Sequence, residues 1–207
     1  MVLAKFHLEY KKKRTFVLIF SVLVLLMIYF FQDSSFILRA ISTVSLVLLF
    51  YVIDHFYYIK FRRRHYVFII IIAILSFLLS PAYFVYPNYD KVQHFIQPML
   101  VCSMVFFAIN KLHLELKWKI VFTFFVVVAI LGIFEMGEFA LDSLFNLKLQ
   151  GVYLRDARGF EKFNLLLDPL SDTMIDMALG ILGSGIYCTV FAFVMRKKLQ
   201  QNIFREF

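Results

Sequence analysis

Acidic side chains and one imidazole recur at helical spacing in three apolar segments of the sequence. Residues that are three or four positions apart lie on one face of a helix. The three sets are Asp90, His94 and Gln97; Glu135, Glu138 and Asp142; and Asp168, Asp172 and Asp176. Imidazole and carboxylate groups bind divalent cations and transfer protons. The sets therefore define a candidate site for metal-ion or acid–base chemistry.

The residue types indicate which ion and which roles to expect. One imidazole with several carboxylates suits zinc, manganese or iron, whereas carboxylates alone suit magnesium or calcium. We therefore expect one divalent metal, with Zn, Mn and Mg as the candidates. The expected metal ligands are His94, Glu135, Glu138, Asp172 and Asp176, and the expected catalytic residues are His94, Glu135, Asp172 and Asp176.

An anionic substrate would need cationic partners near these acids. Arg155 and Arg158 are expected to bind it, since guanidinium groups pair well with phosphate oxygens, and Gln97 is expected to contribute a hydrogen bond. The same two arginines are also the expected ion-pair partners of the acids. A lipid-linked or otherwise anionic small molecule is the substrate class that this set of residues favours.

Several acidic residues are expected to have structural roles instead. Asp168 precedes Pro169, which is the pattern of a helix N-cap followed by proline at the first helical position. Asp90 and Asp142 fall at helix ends and are expected to be ordinary interfacial residues. Asp54 is expected to snorkel to the interface or to cap its helix.

The elements that carry these residues are membrane helices. Hydrophobic residues make up 62% of the 207 residues and charged residues only 17%, with a mean hydropathy of +0.80. This composition excludes a disordered chain, a coiled coil and an ordinary soluble enzyme. The lipid bilayer also explains the net charge of +8 better than nucleic acid does, because Lys and Arg collect on cytoplasmic loops.

The predicted fold class is all-α, with one polytopic membrane domain over residues 1–207. About 20 apolar residues are needed to cross the hydrocarbon core, and six segments qualify. They are residues 15–31, 36–59, 66–86, 90–109, 118–142 and 173–195, with a long outer loop at 143–167. Pro81 predicts a kink or break near the end of the third span.

The distribution of Lys and Arg predicts the orientation. They concentrate before the first span, between the second and third, between the fourth and fifth, and after the last. The positive-inside rule therefore places both termini in the cytoplasm, as in a multi-pass protein of the bacterial cytoplasmic membrane. The acidic sets then lie together near the outer interface, with His94 as the one histidine among them.

The motifs of the last three spans resemble those of the YjdF-like family, a group of uncharacterised small bacterial inner-membrane proteins. The matching residues are Asp90-Lys91-x-x-His94-Phe95, Glu135, Asp172-Thr173-Met174-x-Asp176 and Gly183-Ser184. A more distant resemblance to VanZ-like membrane proteins is carried by the same region. The resemblance implies a six-helix membrane fold that brings these polar residues together, and it implies no reaction.

Three functions are compatible with this pattern. The first is a metal-dependent hydrolase or transferase acting on a lipid-linked or envelope substrate. The second is an accessory or structural membrane protein whose acids form an ion-pair network. The third is a proton- or cation-coupled carrier, which the one-sided placement of the acids disfavours because carrier sites lie near the midplane. Neither the substrate nor the oligomeric state is readable from the sequence.

Overall fold

Helices dominate the fold, as expected from the composition. The computed structural model describes residues 2–31, 34–145, 148–155 and 163–203. Contacts along the chain divide it into two compact units, Met1–Pro81 and Ala82–Phe207. The candidate site lies entirely in the second unit.

The first unit contains three α-helices and ends in two short helical turns. Helix α1 spans Val2–Phe31, α2 spans Ser34–Phe56 and α3 spans Arg63–Ala73, followed by a π-helical turn at Ile74–Leu78 and a 3-10 turn at Ser80–Phe84 that extends into the second unit. The helix is interrupted close to Pro81, where a break was expected, because proline has no N–H to donate.

The second unit contains three long helices and a small hairpin. Helix α4 spans Tyr89–Ile109, α5 spans Leu116–Phe145, and α6 spans Pro169–Ile203. Strands β1 (Val152–Arg155) and β2 (Phe163–Leu167) pair antiparallel between α5 and α6. This hairpin occupies the segment that was predicted only as a long outer loop.

Four of the described helices are long and apolar enough to cross a membrane. The qualifying stretches are Arg39–Phe56, Tyr89–Ile109, Leu116–Leu144 and Pro169–Lys197. They coincide with the second, fourth, fifth and sixth predicted spans. The third predicted span is not one regular helix, since α3 has 11 residues before the π-helical turn begins.

Close packing of α4, α5 and α6 brings the polar residues together. Gly183 of α6 lies directly against the backbone carbonyl of Phe95 in α4, so that any side chain at residue 183 would clash with backbone. Near the middle of these helices, Cys102, Val127 and Cys188 form a buried apolar cluster. The cysteines therefore act as small hydrophobic residues between helices, as expected.

A buried polar cluster joins the three helices of the first unit. The Asp54 carboxylate is fully buried and accepts hydrogen bonds from Lys13 Nζ at 2.9 Å, Tyr66 OH at 2.7 Å and the Phe61 backbone N–H at 2.9 Å. Tyr10 OH donates to the Asp54 backbone carbonyl at 2.9 Å. The expectation that Asp54 snorkels or caps was wrong, because its partners lie on other elements and compensate its burial.

Candidate functional site

The first turns of α4 carry three of the residues at the site. Asp90 lies in the first turn of α4, and His94 follows one turn later on the same face. His94 Nε2 lies 3.4 Å from Asp90 Oδ1, and the His94 side chain is 8% exposed. Because α4 begins at Tyr89, this pair lies at the end of the helix rather than at its middle.

Lys91 is the central cation of the cluster. Its Nζ donates to both carboxylate oxygens of Asp176, at 2.8 and 2.7 Å, and lies 3.3 Å from Asp90 Oδ2. It also donates to Asp172 Oδ1. One ammonium group thus contacts three carboxylates on α4 and α6, which we call the lysine cage: Asp90, Lys91, Asp172 and Asp176.

Glu135 brings α5 into the same site. Its side chain is 7% exposed, and Oε1 lies 3.6 Å from His94 Nδ1, which is too long for a hydrogen bond. Within the described part of the chain, Glu135 Oε1 is a buried oxygen without a hydrogen-bond donor. Glu138, one turn further along α5, is half-buried. An unpaired buried carboxylate oxygen is costly, so it identifies the place where a further cation or proton is needed.

Backbone donors attach the segment between α5 and α6 to one carboxylate of the lysine cage and to Asp142 at the end of α5. Gly151 donates its N–H to Asp172 Oδ2 at 2.8 Å. Asp142 accepts from the backbone N–H groups of Leu149 and Gln150, both at 2.8 Å. Asp142 therefore holds the segment that leads to β1 through two backbone hydrogen bonds, whereas the expectation that it is an ordinary interfacial residue stays a prediction.

Among the side chains that the structure describes, the formal charges of the site do not balance. Five carboxylates lie in or beside the cluster with one ammonium and one imidazole: Asp90, Glu135, Glu138, Asp172 and Asp176 against Lys91 and His94. Ionised groups within membrane helices are unfavourable unless they are paired, by about 2.5–3.5 kcal/mol each at mid-bilayer and less near the interface. The described side chains of the cluster alone therefore leave a negative charge that bound protons or an additional cation would offset.

Three ligand atoms are placed closely enough to share one ion. Asp90, His94 and Asp176 each offer one atom, and these atoms all lie within 4.8 Å of one another. Two ligands bound to one ion at about 2.1 Å are separated by at most about 4.2 Å. A small movement of the side chains would therefore be enough to coordinate a metal.

The structure differs from the sequence expectations at two of these residues. Asp90 was expected to be an ordinary interfacial residue, but it lies within the lysine cage and within the three-residue metal set. Lys91 was not expected at the site at all, although it stands beside Asp90 in the motif that opens α4. The sequence feature that could have indicated Lys91 is its position next to Asp90, at the end of α4 that carries the acidic residues.

Three residues were predicted to bind the substrate, namely Gln97, Arg155 and Arg158. Gln97 donates to Gln93 Oε1, and Gln93 donates to Tyr83 OH at 3.0 Å, so Gln97 belongs to a neighbouring amide network. Arg155 is the last residue of β1, and Arg158 lies outside the described residues. Their substrate-binding roles stay predictions.

The start of α6 behaves as its sequence predicts. The helix begins at Pro169, and the Ser171 backbone N–H donates to Asp168 Oδ1 at 3.0 Å. Hydrogen bonds from the Ser171 side chain and backbone hold the pKa of the exposed Asp168 below its usual range. Asp168 is thus a helix cap outside the cluster.

Comparison with known protein families identifies the family of this chain. A family model described as "Predicted membrane protein (DUF2238)" matches residues 14–197. No curated protein and no solved structure matches the chain.

Proposed function

This chain belongs to the DUF2238 family of predicted membrane proteins, and from that membership we propose that it crosses the bacterial cytoplasmic membrane six times with both termini in the cytoplasm. DUF2238 is the YjdF-like family, so the resemblance to that family is confirmed, whereas the resemblance to VanZ-like proteins stays a prediction. Four apolar helices support the topology. The other two crossings would be made by α1 and by α3 with its π-helical turn.

The function that the geometry supports best is binding of a divalent cation at the outer ends of α4, α5 and α6. The observation that carries this proposal is the convergence of Asp90, His94 and Asp176 within 4.8 Å. A second, independent observation is the unpaired buried oxygen of Glu135 beside His94. A divalent ion would offset the negative charge that Lys91 alone does not balance.

The chemistry that follows is metal-assisted hydrolysis or transfer at a lipid-linked phosphate. A metal ion polarises a phosphoryl oxygen and lowers the pKa of bound water. In hydrolysis, the oxygen of that water would bond to phosphorus, the bond from phosphorus to the leaving alcohol would break, and a proton would pass to the alcohol. Glu135 is the group placed to carry that proton, because its Oε1 has no hydrogen bond to lose.

Lys91 has two roles in this proposal. Without metal, its ammonium group occupies the space between the carboxylates of Asp90 and Asp176. A divalent ion held by Asp90, His94 and Asp176 would compete with the ammonium group for these carboxylates, and Lys91 would then be available to bind a phosphate oxygen. Arg155 and Arg158 remain proposed as further partners for the same anionic substrate.

Metal content of the purified protein tests the proposal. Protein in detergent is equilibrated separately with Zn²⁺, Mn²⁺ and Mg²⁺, washed, and analysed for metal per chain. The expected result is one equivalent of one of these ions, which is lost in His94→Gln. His113→Gln is the matched control, because His113 is exposed and lies between α4 and α5, outside the site. Absence of bound ion in the wild type under all three conditions would overturn the proposal.

A second candidate function is an accessory protein whose acids are purely structural. The observation that favours it is the set of ion pairs made by Lys91, which links α4 to α6 without any metal. In that case, removing Lys91 would destabilise the protein equally with and without divalent ions. In the metal-binding case, divalent ions would restore much of the stability that the substitution removes.

A further inference from the structure

The imidazole of His94 has a carboxylate beside each of its two nitrogen atoms. On one side, Nε2 lies 3.4 Å from Oδ1 of Asp90, which belongs to the same helix. On the other side, Nδ1 lies 3.6 Å from Oε1 of Glu135, which belongs to α5. The two ring nitrogens therefore have different carboxylate neighbours on different helices.

The three-residue metal set contains one of these neighbours and not the other. Asp90 belongs with His94 and Asp176 to the set whose ligand atoms lie within 4.8 Å of one another, whereas Glu135 is outside that set. Nε2 is the ring nitrogen that faces Asp90. A metal ion held by the set would therefore bind Nε2, and Nδ1 would face α5.

An imidazole that binds a metal ion through one nitrogen carries its proton on the other. The ligand is the neutral ring, so coordination through Nε2 leaves an N–H group at Nδ1. Metal ligands of this kind almost always donate that N–H to a carboxylate, a backbone carbonyl or water, which fixes the tautomer and the orientation of the ring. The carboxylate beside Nδ1 of His94 is that of Glu135.

The Glu135 carboxylate is able to accept this hydrogen bond. Its Oε1 is buried and has no donor within the described part of the chain. A hydrogen bond to Nδ1 requires the two atoms, now 3.6 Å apart, to approach by roughly 0.5 Å. The ring of Phe134, the preceding residue, lies beside the His94 ring with the centroids 6.0 Å apart. Two successive residues of α5 therefore border the imidazole.

We propose that Glu135 is a positioning residue, which accepts a hydrogen bond from His94 Nδ1 and thereby directs Nε2 at the metal ion. This inference rests on the metal site proposed above and places Glu135 beside the ligands of the ion, not among them. In the metal-bound protein Oε1 accepts from Nδ1, so the proton proposed to pass to the leaving alcohol would be carried by Oε2. The oxygen that is unpaired in the metal-free protein is then the acceptor that the bound state uses.

Selective isotope labelling tests which nitrogen binds the ion. The protein is prepared with histidine that carries ¹⁵N at Nδ1 alone or at Nε2 alone, and it is loaded with the ion that it retains. Pulsed electron paramagnetic resonance is the readout for Mn²⁺, and ¹⁵N nuclear magnetic resonance is the readout for Zn²⁺ or Mg²⁺. The signal of His94 is identified by its absence in His94→Gln. The expected result is coordination through Nε2, with the proton on Nδ1.

Substitution of Glu135 tests its role as the acceptor. Glu135→Ala removes the acceptor, so the ion should bind about 10- to 100-fold more weakly, and at saturation it should be coordinated by a mixture of Nδ1 and Nε2. Glu135→Gln keeps an oxygen acceptor, so it should retain coordination through Nε2 with a smaller loss of affinity. Glu115→Ala is the matched control, because the Glu115 side chain is 70% exposed, and it should change neither property.

The outcomes separate this inference from the metal site itself. Coordination through Nδ1 in the wild type would overturn the role of Glu135 and leave the metal site intact. Unchanged affinity of Glu135→Ala, or coordination of its ion through Nε2 alone, would do the same. A wild type that retains none of the three ions would overturn both proposals. The wild-type measurement decides the inference even if Glu135→Ala does not fold, which circular dichroism establishes.

Discussion

The ammonium group of Lys91 in α4 contacts both carboxylate oxygens of Asp176 in α6, at 2.7 and 2.8 Å. The two residues are 85 positions apart in the sequence. Their side chains are 16% and 2% exposed, so this ion pair is mostly shielded from solvent. The pair joins α4 to α6 where three carboxylates surround one ammonium group. Substitutions at these residues should therefore change the stability of the protein.

Replacing Lys91 with Met should destabilise the metal-free protein. The change leaves Asp172 and Asp176 without their cation, and breaking a buried ion pair by removing one partner costs about 3–5 kcal/mol. The expected result is a lower melting temperature in chelator, together with tighter binding of Mn²⁺ because the competing ammonium is gone. Melting curves with and without Mn²⁺ measure both effects.

Lys117→Met is the matched control for that substitution. Lys117 pairs with Glu115 at 2.8 Å, but the two side chains are 66% and 70% exposed. An exposed pair contributes about 0–1 kcal/mol. If the two lysine variants melted alike, the structural importance assigned to Lys91 would be wrong.

Glu135→Gln should raise the melting temperature in the absence of metal. The substitution keeps the shape of the side chain and removes a carboxylate whose Oε1 is buried without a donor. The increase in melting temperature should disappear when a saturating divalent ion is present, because the ion offsets the negative charge of the wild-type site. Glu115→Gln, at an exposed residue, should leave the melting temperature unchanged. If Glu135→Gln instead had a lower melting temperature than the wild type in chelator, the claim that the Glu135 carboxylate is an uncompensated charge in the metal-free protein would be wrong.

Gly151→Ala should loosen the segment that contacts Asp172. Gly151 has a φ of +91°, and an added Cβ would lie 3.1 Å from the carbonyl oxygen of Leu167. Residues with a side chain are strained in this conformation by about 1–3 kcal/mol. The expected result is faster amide hydrogen exchange at residues 149–155 and a lower melting temperature.

Gly137→Ala provides the comparison for that variant. Gly137 lies inside α5, has no atom within 4 Å of an added Cβ, and occupies a helix that alanine favours over glycine. It should stabilise the protein slightly or leave it unchanged. Equal protection of residues 149–155 in wild type and Gly151→Ala would contradict the proposed attachment of this segment.

Acid should destabilise the first unit through His65. Burial, with the nearby charges of Arg64 and Arg62, lowers the pKa of His65 from 6.5 to about 4. The unfolded chain therefore binds more protons than the folded one between these values, so the free energy of unfolding falls as pH decreases from 6.5 towards 4. The contribution is fully present above pH 6.5.

The measurement for His65 compares melting temperatures at pH 7 and pH 4.5. The wild type should lose more stability on acidification than His65→Gln, which cannot take up that proton. His113→Gln, which alters an exposed residue, should follow the wild type. Identical pH dependence in all three proteins would exclude His65 as the group responsible.

Helix content and four of the six apolar spans were predictable because they depend on local composition. The 62% hydrophobic content and the spacing of Asp90 with His94 are visible in the printed sequence. Asp168 and Pro169 likewise define the start of α6, since a capping residue acts on its own helix. Such features need no knowledge of how the helices pack.

The partners of the acids were not predictable in the same way. Lys91 and Asp176 are brought together only when Gly183 allows α6 to approach the backbone of α4. The burial of Asp54 similarly depends on Lys13 from another helix. Pairing across helices depends on rotation and depth, which spacing within one helix does not determine. For this reason the sequence predicts Arg155 and Arg158 as partners of the acids and does not indicate Lys91.

The most direct test of the account is pulsed electron paramagnetic resonance of Mn²⁺ bound to the wild type and to His94→Gln. The account predicts one Mn²⁺ per chain, with hyperfine coupling to a single imidazole nitrogen that disappears in the variant. His113→Gln should retain the coupling. Absence of bound Mn²⁺ when Zn²⁺ and Mg²⁺ also fail to bind, or bound Mn²⁺ whose spectrum is the same in wild type and His94→Gln, would contradict a metal site formed by Asp90, His94 and Asp176.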